Sequence, residues 1–503
     1  MEKEIYGIDL GTTYSCIAVV NDRNQPEVIP IENNSHTVPS IVHYGEKGTT
    51  VGTSAKNRMQ SRPNEVVVAI KRKMGSKSTL EINGKTYTPS DVSSEILKHL
   101  VTKANEYRRG LGQSEIFDAV VAIPANYEEE HKQAVLDAGK LAGLNILKLV
   151  TEPTAAALSY KNKATSGSKT IMVYDLGGGT FDISVLKVEN NKFTVIATDG
   201  EHELGGLDWD KKILEAAFEI GNVTLTDDYL SSPKAYDALD AAERAKRDLS
   251  SGEETDLNFT YNNRVYPILD YTKRDFEQRT QVLVNKSILK MIEVAKEAKK
   301  KDYNIISDDG KTLLIDELLL VGGSSNMPMI KKAIANRFSG LEGEKLKLAD
   351  PNEAIAKGAA IAAKIELVEQ KIKNGEQLTN SEQELPSFKD VISCSYGVKT
   401  KDGKVFNIIM MNENYPITKR KHQFITSAEN QSSVQLSLYS NKESDQKVEL
   451  AFSKLIKTAK LEWGYPVAKG TNVDVFVSID KNGMVVINAT AENKEVVVAE
   501  FKL

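Results

Sequence analysis

The chain has 503 residues, 40% hydrophobic and 27% charged, ordinary globular usage that excludes a wholly disordered chain, a collagen and a membrane channel. Its 65 Lys and Arg against 70 Asp and Glu leave a net charge of −5, which argues against a nucleic-acid binder. Two cysteines, Cys16 and Cys394, are too few for a disulfide framework or a four-cysteine zinc site, and the length predicts about three domains or subdomains.

The N-terminal MEKEIYG is charged and lacks the apolar segment of a signal peptide. No stretch reaches the ~18 apolar residues of a membrane helix. The expectation is a soluble, cytoplasmic protein in a reducing compartment.

Residues 5–13 read IYGIDLGTT: an apolar run, Asp9-Leu10-Gly11, then hydroxyls. SCIAVV continues as strand, so the motif predicts a β-hairpin. FDAVVAIP predicts a buried strand ending at Pro124, and residues 127–142 a helix capped by Gly143. Residues 171–180, IMVYDLGGGT, repeat the first motif around Asp175, and FDISVLKV again continues as strand. Two copies a domain apart predict two similar lobes. ELLLVGGSSNMPMIKKAIANRF predicts strand, Gly-Gly turn and helix, and residues 352–373 an Ala-rich helix. After that comes a polar stretch, NGEQLTNSEQELPSF, of linker composition. The remainder predicts strands at FNIIMM, HQFITSA, SVQLSLYS, NVDVFVSID, MVVINATA and EVVVAEF, with a hairpin turn at Asp480–Gly483. Val434, Leu436 and Leu438 alternate with Gln435 and Ser437, the period of a half-buried strand. The fold expected is α/β for about 370 residues, then an antiparallel β-sandwich.

Three Gly-rich turns suit an anion, because uncovered backbone N–H groups can converge on it. They are DLGTTY, DLGGGT and VGGSS, the last at a helix start. No Walker A motif is present. Asp9 and Asp175 beside these turns suit a hydrated Mg²⁺, which prefers oxygen ligands and keeps waters, though each also reads as a turn-forming Asp. Glu243, Lys246, Arg247 and Ser250 share one helix face. On the residues alone that face reads as solvated rather than as a clamp for ribose and base. Lys71 and Arg72 read as surface charges. His202 has no second His to make a zinc motif. Cys16 reads as core, and Cys394 as an exposed, unactivated thiol.

In order along the chain, IYGIDLGTTYSCIAVV, TEPTAAALSY, VYDLGGGTFDISVL, LGGLDWD, AAERAKRDLSS and LLVGGSSNMPMI resemble the signature segments of the 70-kilodalton heat-shock (DnaK-type) chaperones. The resemblance is strong over residues 4–365 and looser over 390–503. It implies an actin-like (duplicated ribonuclease H-like) two-lobed ATPase domain at 1–373, a linker at 374–394 and a peptide-binding β-sandwich at 395–503. It reverses the reading of the helix face and of Lys71. By resemblance, Gly11, Thr12, Thr13 and Tyr14 form one phosphate loop and Gly177, Gly178, Gly179 and Thr180 the other, with Gly205 and Gly206 near the diphosphate. Lys71 is the implied catalytic lysine, and Glu152, Asp175 and Thr180 position the attacking water. Asp9, Asp175 and Asp182 hold Mg²⁺ and K⁺. Glu243, Lys246, Arg247 and Ser250 clamp the adenosine of ATP or ADP, opposite Gly322, Gly323 and Ser324.

Some positions depart from the family pattern. Asn326 stands where an Arg usually lies against adenine, Asn352 replaces an Asp near the base, and Leu207 replaces an acid. The linker KDVISCSYG is shorter than usual, and two arginines that commonly link the ATPase domain to it appear as Lys132 and Lys148. In the sandwich, Val398, Phe424 and Val434 fall where the family builds its apolar pocket, although they also read as plain core. Lys401 and Ser427 replace the apolar arch.

The resemblance implies an ATP-dependent chaperone for extended apolar segments of unfolded chains. It further implies a monomer that works with a J-domain co-chaperone and a nucleotide-exchange factor, without nucleic acid or membrane. The alternative is an actin-fold ATPase whose divergent β domain serves as an exchange factor or specialised binding module. No residues remain for the helical lid that family members carry, which implies a lidless or C-terminally truncated member.

Overall fold

A computed structural model describes residues 3–21, 23–160, 167–230, 232–262, 264–341, 343–491 and 494–500. Phe501, the last residue of the expected strand EVVVAEF, lies outside them. The chain divides into two compact units. One comprises Met1–Asn126 and Ala134–Phe388, the other Tyr127–Gln133 and Lys389–Leu503.

The first unit contains the same sheet twice. In one copy the central strand Tyr6–Asp9 pairs antiparallel with Tyr14–Val20, which pairs with Pro26–Val28. On its other side it runs parallel to Asp118–Ile123, itself parallel to Asn145–Thr151. In the second copy Ser168–Leu176 pairs antiparallel with Phe181–Glu189, and that strand with Lys192–Glu201. Its parallel side holds Glu317–Val321 and Leu346–Leu348. Both DLG motifs are therefore hairpin turns, as their sequence implied. Parallel strands need a crossover. The helix Glu129–Leu141 lies between the parallel strands of the first copy and Pro328–Arg337 between those of the second.

Each motif aspartate stands at the end of its central strand, where the backbone leaves the sheet. Asp9 lies opposite Cys16, and Asp175 opposite Asp182. Both central strands are buried through their apolar runs, as strands with covered faces require.

The Ala-rich helix Ala354–Lys373 is small because it must approach closely. A Cβ added at Gly358 would stand 1.7 Å from the Ala155 carbonyl oxygen, and one at Gly7 2.0 Å from the Ala360 nitrogen. The helix so seated against Ala155 is Glu152–Ser159, which begins at a predicted site residue.

The polar stretch read as linker carries structure. Thr379 and Glu382 form a capping box on the short helix Asn380–Gln383, and Glu382 pairs with Lys371 at 2.6 Å. Strand Ser387–Lys389 then extends the second sheet beyond Lys192–Glu201. The first compact unit runs to Phe388. Lys148 lies over the Phe388 ring at 4.2 Å.

The second unit has two antiparallel sheets. One, of five strands, includes Ser395–Lys399, Lys404–Ile409, Gln431–Asn441 and Ser453–Val467; the other joins Ile417–Ile425, Asn472–Ile479, Val485–Ala491 and Lys494–Glu500. Tyr396, Val398 and Leu438 from the first meet Val475, Val477 and Ile487 from the second in one core. The Asp480–Gly483 turn is as expected, with Gly483 N–H donating to the Asp480 carbonyl at 3.1 Å. Cys394 corrects its sequence reading: only 1% exposed, it belongs to this core, and burial raises its thiol pKa. Lys132 belongs to this unit too and donates to the Gly483 carbonyl at 2.8 Å. Among the described residues, no helix is long and apolar enough to cross a membrane.

Gly358→Ala should cost about 2 kcal/mol through overpacking and lower the melting temperature by several degrees in calorimetry. Lys373→Ala, at an exposed position of the same helix, should leave it unchanged. Equal melting of the two variants would contradict the close approach.

Candidate functional site

The turns at the ends of the two central strands face each other across a polar cleft of about 410 Å³. A Cβ on Gly178 would lie 2.3 Å from Thr13 Oγ1, and one on Gly179 would lie 2.4 Å from the Thr12 side chain. Glycine is required there because the other loop fills the space. The third Gly-rich turn joins them. Gly322 has φ +79°, and a Cβ on it would meet Asp175 Oδ1 at 2.4 Å.

Gly11, Thr12, Thr13, Tyr14, Gly177, Gly178 and Thr180 line the cleft, with Asp9, Lys71, Glu152 and Asp175. So do Gly322, Gly323, Ser324, Asn326 and Asn352 on the far side. Four expected residues lie just behind this wall. Gly179 turns its carbonyl to Arg72. Gly205 packs on Gly179, and Gly206 N–H donates to the Gly177 carbonyl at 2.9 Å. Asp182 is buried, its Oδ1 accepting from Ala125 N–H at 3.1 Å.

Lys71 is not a surface charge. It is 7% exposed and donates to Glu152 Oε1 at 2.5 Å. Its turn, Ile70–Lys73, follows Ala69, whose φ of +52° redirects the chain into the cleft. Around this lysine stand more acids than it can neutralise. Burial, with help from Glu152 and against the pull of Lys71, raises the Asp9 pKa from 3.8 to about 7. Burial and then Glu152 push Asp175 and Asp182 well above the usual carboxylate range. Asp175 Oδ2 and Asp182 Oδ2 are buried without a hydrogen-bond partner, which is costly unless something else completes them.

A divalent cation fits this arrangement, since it would supply both the missing charge and partners for the orphaned oxygens. Among the described residues no three His, Cys, Asp or Glu side chains converge to hold a bare ion. The fit is therefore to an ion that keeps much of its water shell.

The helix face that reads as solvated from its residues, and as a clamp by resemblance, lines the cleft. Helix Tyr236–Ser251 presents Glu243, Lys246, Arg247 and Ser250 to it. Lys246 pairs with Asp210 Oδ1 at 2.7 Å and donates to the Gly206 carbonyl at 3.0 Å. Arg247 donates to Tyr14 OH at 3.1 Å and to Glu243 Oε1 at 2.5 Å. Ser250 Oγ donates to the Lys246 carbonyl at 2.9 Å. Asn326 folds back on its own turn, Nδ2 donating to the Gly323 carbonyl at 3.0 Å.

Sequence reasoning missed Arg72, Asp208 and Asp210. Arg72 reaches both the Gly179 carbonyl and Asp208, and Asp210 is the buried partner of Lys246. LGGLDWD held both acids in plain view, but nothing in its spacing separates a capping Asp from an ion-pairing one. Burial raises the Asp210 pKa to about 6 against the opposing Lys246.

In the second unit, Val398, Phe424 and Val434 share one core cluster. Val398 is buried, whereas Phe424 and Val434 are partly accessible. The Phe406 ring meets Phe424 edge-on at 5.8 Å. Lys401 lies in the exposed turn before Lys404–Ile409, and Ser427 in the exposed loop after Ile417–Ile425.

The first unit is thus a duplicated α/β body whose opposed glycine turns close on a polar, acid-rich cleft. The family model described as Hsp70 protein matches residues 5–501, and the chain belongs to the Hsp70 family. Members of that family are ATPases with chaperone function.

Because the folded state binds the Asp9 proton more tightly, its stabilising effect is complete below about pH 4 and lost as pH rises through about 7. Asp9→Asn should therefore raise the melting temperature of the metal-free protein at pH 8 by roughly 2–5 °C, and by less at pH 5. An equal gain at both values would contradict the raised pKa of this half-buried carboxyl.

Proposed function

We propose that the cleft binds ATP and hydrolyses it, and that the second unit binds extended apolar segments of unfolded polypeptides under control of that nucleotide. The observation that carries the reading is the Lys71–Glu152 pair set between two opposed glycine turns, with a partnerless oxygen on each of Asp175 and Asp182 beside it. Phosphoryl transfer to water needs positioning and charge stabilisation more than covalent chemistry, and these groups offer both.

In this reading Gly11–Tyr14 and Gly177–Thr180 hold the phosphates by backbone N–H groups and hydroxyls. Lys71 stabilises charge near the γ-phosphate, while Glu152, Asp175 and Thr180 orient the attacking water. Mg²⁺, with K⁺, would neutralise phosphate charge, held by Asp9, Asp175 and Asp182 mainly through water. Glu243, Lys246, Arg247 and Ser250 hold the adenosine from one side, and Gly322, Gly323, Ser324, Asn326 and Asn352 from the other. Gly205 and Gly206 support the diphosphate loop from behind.

Val398, Phe424 and Val434 form the apolar floor for one buried peptide side chain, with Lys401 and Ser427 over it. The peptide's backbone would be held by hydrogen bonds, as in strand addition. A J-domain co-chaperone and a nucleotide-exchange factor are the partners proposed, in the cytoplasm.

Lys71→Ala should abolish hydrolysis while ADP affinity changes only a few-fold; wild-type turnover would remove its assigned role. Asn326→Arg should tighten ADP binding roughly three- to thirtyfold by restoring a cation over the base, read by calorimetric titration. A fluorescent apolar peptide should leave faster with ATP than with ADP. Equal rates would leave an ATPase whose β unit is an uncoupled binding module.

A further inference from the structure

We infer that Arg72 is a positioning residue that fastens the second phosphate loop and sets the direction of its last peptide group; the inference rests on the ATPase reading above. Adjacent in one short turn, Lys71 and Arg72 reach opposite ways. Lys71 goes to Glu152, at the start of a helix beside the first sheet, and Arg72 crosses to the turn of the second. The left-handed Ala69 immediately before this turn makes that divergence possible.

Arg72 uses the two ends of its fork differently. Nε and Nη2 both donate to the Gly179 carbonyl, at 2.9 and 2.7 Å. Nη2 also donates to Asp208 Oδ2 at 2.6 Å. The same Asp208 oxygen accepts from Gly205 N–H at 2.8 Å and so caps the helix Gly206–Ile220. The planar guanidinium makes this set from two rigidly spaced nitrogens, a geometry that a single ammonium nitrogen does not reproduce.

The peptide consequence is direct. Residues 179 and 180 are joined by a trans peptide, in which C=O and N–H point opposite ways. Holding the Gly179 oxygen against Arg72 turns the Thr180 N–H away from the guanidinium. Thr180 lines the cleft and Gly179 does not. Arg72 thereby aims a donor where the charge of the transferred phosphoryl group would develop, without touching it. Such pre-set donors act on the transition state more than on the ground state.

The test is single-turnover ATP hydrolysis by the full chain, with Kd for ADP measured alongside. Arg72→Ala should slow hydrolysis ten- to a hundredfold with ADP affinity within about threefold. Added guanidinium chloride at low millimolar concentration should recover part of the rate, and ammonium chloride should not. Asp208→Asn should slow hydrolysis less, and the double variant should be no slower than Arg72→Ala, since both act through one guanidinium. If Arg72→Ala does not fold, Arg72→Lys carries the same expectation of a slowed rate at unchanged ADP affinity. Hydrolysis at the wild-type rate in these variants, or recovery by either cation alike, overturns the inference while leaving the ATPase reading intact. An inactive wild-type chain overturns both.

Discussion

The first unit is organised around an imbalance of charge. One lysine, Lys71, sits among Asp9, Glu152, Asp175 and Asp182, and it is committed to Glu152 at 2.5 Å. Buried carboxylates resist ionising unless paired. Burial therefore shifts Asp9, Asp175 and Asp182 toward their neutral forms. The duplicated sheets account for this crowding. Each ends its central strand in an aspartate, and packing the two turns together brings both acids to one place.

Everything else in the unit keeps that place accurately built. Gly178 and Gly322 let loops approach where a side chain would collide. The ion pairs of Lys246 with Asp210 and of Arg72 with Asp208 tie separate elements around the cleft. These pairs are largely shielded from water. Loss of one partner would leave the other uncompensated, which is why such sites respond strongly to single substitutions.

Much of this was legible in the sequence, and the limits have physical causes. The repeated Asp-Leu-Gly motifs announced two lobes because a hairpin with a glycine turn has a local signature. Lys71 was misread from its own residues because its burial depends on Glu152, far away in sequence. Only the family resemblance corrected it. On helix Tyr236–Ser251 the solvated reading holds for Arg247, which is exposed, but not for Lys246, buried against Gly206 and Asp210. The fifteen-residue strand Ser453–Val467 was not foreseen. Lys454, Lys457 and Lys460 hide its alternation, and Gly464 and Pro466 resemble a loop. The stretch 374–388 looked like linker because a short capped helix and an edge strand bury too little to need an apolar pattern.

The alanine helix Ala354–Lys373 has a further implication for how this protein can vary. Most cores accept exchange among residues of similar volume. Here Gly358 and Ala360 meet backbone directly, so the permitted volume has a ceiling and no compensating neighbour can shrink to make room. Sequence drift along this surface should run one way only, toward smaller side chains. The helix then works as a fixed spacer between the strand that ends in Asp9 and the helix that begins with Glu152.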